Sequence, residues 1–423
     1  MITETIKPTS CQLAWQDAEF GLFCHFGINT FYDKEWSDGS LSPAAFNPTR
    51  LNTRQWVEMA KAAGARYLIF TAKHHDGFCL WQTETTDYSV RAAPWKDGQG
   101  DVVAELAQAC HDLNMPLGLY LSPWDRHEPC YGDPPTYDRF YVRQLTELCT
   151  RYGPLFELWF DGAGSEGRTY NWEAIIEVVN RYQPNALVFN MGRPTIRWVG
   201  NEDGLAADPC YYVVDSAAVS IYTDRQDAVP KAYMPPECDV PIRQHWFWHA
   251  DDLHTLKSKE HLLGIYYRSV GLGANLLLNV PPNREGLLDE IDCRRLLEVA
   301  DEIKRRFADP IPARLTQQGA LITLDFGRPV TCDHLILQED LRDGQRVDGY
   351  TLRAEDRVIA AGCTIGHKKI HVFPAITAQH LSLQLNTEAA RILSVDAYHT
   401  GHEHLPALDA LFDPALFESK MMR

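Results

Sequence analysis

The chain lacks most of the features that announce a function class directly. Its 11 cysteines are odd in number and scattered, and no CxxC pair occurs. That spacing supports neither a zinc site nor a disulfide framework, and several cysteines sit in apolar runs as small buried hydrophobes. Basic residues are also in deficit: Lys+Arg number 40 against 57 Asp+Glu, a formal net charge of −17. Nucleic-acid binders and polybasic membrane anchors need clustered cations, so neither partner is expected. No stretch approaches the roughly 18 apolar residues that would suggest a membrane span. The opening residues, Met1-Ile2-Thr3-Glu4, begin no basic-then-apolar leader. The expectation is a reducing, cytoplasmic location. Internal repeats and low-complexity tracts are absent. The glycine-containing stretch 271–282 has no Lys-Ser/Thr pair, so it is no phosphate loop.

What is present is a long alternation of two patterns. Apolar runs lie at residues 20–27, 66–73, 116–123, 155–161, 186–190 and 274–280. They are nearly continuous, as strands buried on both faces should be. Between them lie helical patterns at 52–64, 102–113 with Asp101 as cap, 137–152 and 172–182. Strand–helix alternation of this kind produces parallel crossovers. The fold class expected is α/β: a (β/α)8-like, TIM-type barrel over residues 1–309. Residues 193–250 are rich in Pro, Asp and aromatics, which predicts missing helices and long loops there. After residue 310 the texture becomes short alternating runs (321–326, 334–338, 350–353, 371–373, 381–385), which predicts an antiparallel β-sandwich over 310–400. The tail, 401–423, carries Leu408, Leu411, Phe412, Leu416 and Phe417, the pattern of a docked helix.

Barrels of this type build their sites at the C-terminal ends of the strands. Here those ends read Cys24-His25-Phe26-Gly27, Lys73-His74-His75-Asp76-Gly77, Tyr120-Leu121-Ser122-Pro123-Trp124-Asp125 and Trp159-Phe160-Asp161-Gly162. Polar, protonatable and aromatic side chains gather where a polyhydroxylated ring would need them. Asp161 follows an apolar strand directly and is a candidate catalytic carboxylate on a rigid support. Sugar hydrolysis needs a second carboxyl as its partner. Glu202, beside Trp198 and Asn201, and Glu237, in Pro235-Pro236-Glu237, are both candidates. His74 and His75 are adjacent, so both can reach one ligand only if the strand has already ended. Trp246-Phe247-Trp248 is either core packing or a sugar-stacking platform. A metal-dependent hydrolase using His25, His74, His75 and Asp161 is a rival reading.

Together these segments resemble the glycoside hydrolase family 29 α-L-fucosidases. The resemblance runs in order through residues 15–27, 35–36, 67–81, 119–124, 158–162, 197–204 and 269–282. It implies a retaining hydrolase of fucosylated oligosaccharides or glycoconjugates that needs no metal or other cofactor. It implies Asp161 as nucleophile, and His25, Glu35, Trp36, His74, His75, Tyr120 and Trp159 around the sugar. Residues 197–202 are similar to the branch that cleaves α-1,3 and α-1,4 fucosyl linkages. In that branch the Glu of this stretch, here Glu202, is the acid/base and Arg197 binds near the pocket; the aromatic run at Trp246 is similar to the family's sugar-stacking position. A fucose-binding relative without activity is the alternative within the resemblance.

Overall fold

The computed structural model describes residues 6–215 and 231–409. Helix α1 (Ser10–Ala18) leads in, started by a capping box between Thr9 and Gln12. The first module is an eight-stranded parallel sheet. Strands β1 (Phe20–Cys24), β2 (Tyr67–Lys73) and β3 (Leu117–Leu121) are buried almost throughout, as are the shorter β4 (Glu157–Trp159) and β5 (Leu187–Phe189). Side chains on alternate positions face the barrel interior and the surrounding helices, and both environments are apolar. Helices α2 (Thr53–Ala62), α3 (Val102–Leu113), α4 (Pro134–Arg151) and α5 (Trp172–Tyr182) make the successive crossovers. Asp101 caps α3 as expected, its Oδ1 accepting the Ala104 amide at 2.7 Å.

Beyond β5 the alternation fails, and the physical reason is visible. No helix separates β5 from β6 (Arg197–Trp198). From β6 the chain leaves for a short antiparallel ribbon, β7 (Val213–Val214) with β8 (Ala232–Tyr233), and returns as β9 (Pro236–Pro241). The crossover α6 (Lys259–Arg268) then leads to β10 (Asn275–Asn279), and α7 (Glu290–Phe307) ends the module. The strand order is β5-β4-β3-β2-β1-β10-β9-β6. A parallel bridge from Phe189 to Ile196, next to β6, brings the two edges together. Neither β6 nor β9 was expected from sequence. β9 is wholly buried yet reads Pro-Glu-Cys-Asp-Val-Pro, because its inward positions carry acids.

The second module is a six-stranded antiparallel sheet of β11 (Arg314–Gln318), β12 (Leu321–Glu339), β13 (Tyr350–Ala354), β14 (Arg357–Gly362), β15 (Lys369–Leu385) and β16 (Ile392–Tyr398). The two long strands, β12 and β15, shift register between Asp325 and Val330 and again between Cys332 and His334. Bulges of this kind bend a sheet, and one apolar cluster joins side chains from both halves of β12. The module docks on the barrel through Glu19, which pairs with His367 at 2.9 Å and Lys368 at 2.6 Å, and through Tyr267 and His334 at 2.9 Å. The expected tail helix falls mostly on residues outside those described. Within them, Leu408 packs against the barrel core. No helix among the described residues is long and apolar enough to cross a membrane.

Candidate active site

A cavity of about 380 Å³ opens at the C-terminal ends of the barrel strands. That volume lies in the usual range for a small-molecule site, and apolar side chains form its floor. Phe23, Trp159 and Phe189 supply the floor, and His25, Glu35, Trp36, His74, His75 and Asp161 are among the groups above it. Trp159 is layered on Phe189 with ring centres 3.9 Å apart and rings within 9° of parallel. Trp36 stands at the rim, 42% exposed, with its ring edge-on to His75 and Trp124.

Asp161 follows β4 by two residues and keeps the strand's inward alternation with Glu157 and Trp159. Its Oδ1 accepts the Ala163 amide at 2.9 Å, and its Oδ2 accepts the Tyr120 hydroxyl at 3.0 Å with His75 Nε2 at 3.5 Å. Its side chain is 26% exposed, toward the cavity it lines. Burial raises the carboxyl's pKa, but the hydrogen bonds from His75, the Ala163 amide and Tyr120 outweigh that and hold it below the ordinary aspartate value. Tyr120 is therefore placed beneath the carboxylate as a fixed donor and is not itself part of the cavity wall.

The paired histidines both reach the cavity because β2 stops at Lys73. Lys73 is fully buried and holds that strand end by pairing with Asp125 at 2.8 Å and Gln144 at 2.9 Å. His75 Nδ1 meets Ser122 Oγ at 2.7 Å, and that hydroxyl donates onward to the Trp124 carbonyl. His25 Nδ1 meets Asn279 Oδ1 at 2.9 Å. Burial lowers the His25 pKa to about 3 against a smaller opposing effect of Asn279. Burial, with His75 and His25 nearby, puts His74 well below the usual histidine range. Neutral imidazoles of this kind suit hydroxyl groups.

Glu202 reaches the cavity from the loop after β6, and its Oε2 accepts the Trp246 indole N–H at 3.2 Å. Burial first, and then the negative charge of Asp161, raises its pKa to about 8. Trp246 is the ring of its cluster that faces the cavity. Phe247 is buried against His25 and His74, and the Trp248 indole turns away to Asp289. Glu35 braces this cluster by accepting the amides of Trp246 and Phe247, the latter at 3.3 Å. Glu35, His245 and His249 bring ligand-type atoms within 4.8 Å of one another. The two rings, however, stack at 4.1 Å and 22°. Rings so layered cannot both aim an in-plane lone pair at one ion, so the trio reads as a charge-paired brace, with His245 Nδ1 at 3.8 Å and His249 Nε2 at 3.6 Å from Glu35 Oε2.

Besides Tyr120, two sequence candidates lie elsewhere than on the cavity wall. Arg197 is not among the groups lining the cavity: adjacent strand residues face opposite sides, so Trp198 takes the inward position, and the Arg197 guanidinium reaches the Tyr211 carbonyl at 3.2 Å. Glu237 is not available as a partner carboxyl. It lies below the floor, accepting the Tyr67 hydroxyl at 2.7 Å and the Trp159 indole at 2.9 Å. Its neighbour two residues on, Asp239, does line the cavity and takes the Trp198 indole at 2.7 Å. Burial, reinforced by Glu202 and Glu237, pushes Asp239 well above the aspartate range. Sequence reasoning missed Asp239, and the available signal was the Glu237/Asp239 alternation between two prolines.

Comparison with known proteins agrees with this geometry. A family model described as alpha-L-fucosidase matches residues 32–306. The chain is 38% identical to alpha-L-fucosidase 1 of Arabidopsis thaliana over 91% of its own length and 85% of the relative's. Among solved structures, a glycoside hydrolase 29 family member from an unknown rumen bacterium aligns at TM-score 0.87 with 35% identity, covering 97% of this chain and 79% of that one. A Ruminococcus gnavus GH29 fucosidase, solved in complex with fucose, aligns at 0.83 with 30% identity over 93% and 95% of the two chains. The chain belongs to the alpha-L-fucosidase family and is a glycoside hydrolase of that class.

Proposed function

We propose that the cavity holds a terminal α-L-fucosyl group and that hydrolysis proceeds by double displacement with retention. One observation supports this most strongly: two carboxyls line one cavity and are driven to opposite protonation states, Asp161 downward and Glu202 up to about 8. Environments that separate two acids in this way assign the base or nucleophile to one and the acid to the other. In the first step an Asp161 oxygen bonds to the anomeric carbon as the bond to the leaving oxygen breaks, and Glu202 gives that oxygen its proton. In the second step water attacks the same carbon, Glu202 takes the water's proton and Asp161 departs. The neutral His25 and His74, with His75, Glu35 and Trp36, hold the ring's hydroxyls, and Trp246 covers a sugar face. The floor of Phe23, Trp159 and Phe189 suits the deoxy sugar's methyl group.

Asp161→Gly should lower turnover on an aryl fucoside by at least ~10³-fold with the fold intact; near-normal turnover would remove the assignment. The likeness of residues 197–204 to the α-1,3/1,4-cleaving branch supports that linkage preference, with Trp198, Gln244 and His245 on the wall where a leaving sugar would lie. A panel of an α-1,2 fucoside against a branched α-1,3/4 trisaccharide tests it, and equal or faster cleavage of the α-1,2 substrate would contradict it.

A further inference from the structure

Beneath the cavity floor the barrel interior holds two carboxyls that the proposed mechanism does not use. Glu157, on β4, and Glu237, on β9, are both fully buried. Glu237 accepts two strong donors, the Tyr67 hydroxyl and the Trp159 indole, at 2.7 and 2.9 Å. Glu157 accepts one, the Trp15 indole at 3.0 Å on Oε2, and its Oε1 has no hydrogen-bond partner among the described residues. Among those residues no lysine or arginine pairs with either group. Two neighbouring carboxylates cannot both ionise in such a place. Burial raises the Glu237 pKa too, but its Tyr67 and Trp159 donors work against that, so Glu237 is the member better placed to hold a charge. Glu157 keeps the proton, on the oxygen that lacks a donor. Burial, and then the charge of Glu237, indeed pushes Glu157 well above the glutamate range.

We propose that this Glu157–Glu237 pair is a fixed negative charge under the sugar, and that it stabilises the positively charged transition state from below the floor. The inference rests on the cavity being the fucosyl site. Glycosidic cleavage builds positive charge on the ring carbon and ring oxygen. A charge set in advance, on a fully buried group, acts on that centre with little screening and no reorganisation. The layer between is aromatic: Trp159 lies on Phe189 at 3.9 Å and beside Phe23 at 5.2 Å. Trp159 is the physical link, since its indole N–H donates to Glu237 while its ring lines the cavity. Along β4 the inward series runs Glu157, Trp159, Asp161, so the pair lies under the nucleophile's own strand. A lone buried anion destabilises a fold, and here it stands where a positive charge develops. Glu237 is on this account a positioning residue that acts through space and through Trp159.

The test compares a cationic ligand with a neutral one. In Glu237→Gln, a fucose-configured iminosugar, protonated on its ring nitrogen, should bind roughly tenfold more weakly, and kcat on an aryl fucoside should fall by a similar factor. Calorimetry with neutral fucose should give an unchanged affinity, and KM should stay near the parent value. Glu157→Gln removes the proton carrier and leaves the anion, so iminosugar affinity should hold. If Glu237→Gln does not fold, the double variant Glu157→Gln/Glu237→Gln replaces the pair by two amides that can bond each other and should show the same selective loss. Equal weakening of fucose and iminosugar would mean a structural role, and unchanged iminosugar binding would mean no electrostatic one; either overturns the proposal. The site assignment fails separately, through full activity in Asp161→Gly.

Discussion

Asparagine at position 161 would keep the shape of the side chain and remove its charge, and the consequence should appear at Glu202. Burial is the first cause of the raised Glu202 pKa and the Asp161 charge is the second. A negative neighbour disfavours a second negative charge, so deleting it must lower the pKa. Carboxyls spaced about 5–5.5 Å apart, as a double displacement requires, interact by about 3 kcal/mol at an effective dielectric near 20. That energy corresponds to about 2 pH units. Glu202, now at about 8, should therefore titrate at about 6 in Asp161→Asn, still above its ordinary value because burial persists. The assay is a carbon-13 NMR titration of labelled glutamate side chains, with Glu202→Gln assigning the resonance. It needs no turnover, so loss of activity in the variant does not blunt it. A Glu202 pKa that stays at about 8 would mean that the two carboxyls do not face each other. The double displacement would then lose its acid.

The same assignment fixes the direction of the pH profile. Glu202 must be protonated to donate, so kcat/KM should fall as pH rises through about 8, and Glu202→Gln should abolish that limb while sparing aryl fucosides with acidic leaving groups more than oligosaccharides. A basic limb that persists in Glu202→Gln would assign it elsewhere. Lys73→Met strands the buried Asp125 without its partner and should cost about 3–5 kcal/mol in chemical denaturation. A loss under about 1 kcal/mol would mean that water or Gln144 compensates. Arg197→Ala should change KM on an aryl fucoside by less than about twofold, because the guanidinium faces the Tyr211 carbonyl outside the cavity. A large rise in KM would return Arg197 to the site.

The parts of the fold legible in sequence are those where one physical demand acts on every residue. β1, β2 and β3 are buried on both faces, so every position is apolar and the runs stand out. The strand-end groups His25, His74, His75 and Asp161 are legible for the complementary reason: they break an apolar run at its end. β6 and β9 were hidden because two demands meet there. The outward positions of β9 pack as strand residues, while its inward positions, Glu237 and Asp239, carry acids toward the barrel axis, and prolines bound it. Propensity reads such a segment as loop. Arg197 was placed near the pocket by the family resemblance alone: in a two-residue strand one side chain points in and the other out, and sequence does not say which. Of the partners of Asp161, Tyr120 stood among the strand ends and the Ala163 amide did not, and the donor geometry of both is a property of the closed barrel alone.

Glu202 and Glu237 were both candidates from the residues alone, with the family resemblance favouring Glu202, and the fold separates them by depth. Read downward from the mouth, the interior carboxyls differ. Asp161 is held low, Glu202 and Asp239 are held high, Glu237 is raised by burial against the pull of its two donors, and Glu157 is held high again. Each neutral acid has a charged one beside it: Glu202 feels Asp161, Asp239 feels Glu237, and Glu157 feels Glu237. No further cation is needed for this order, because each ionised member has its own hydrogen-bond donors and each protonated member has burial plus a charged neighbour. An acid's role in this barrel is therefore set by which donors reach it. Asp161 has Tyr120 and an amide, so it can stay an anion and attack. Glu202 has one indole at 3.2 Å, which is too little to offset its burial, so it keeps the proton that the leaving oxygen requires.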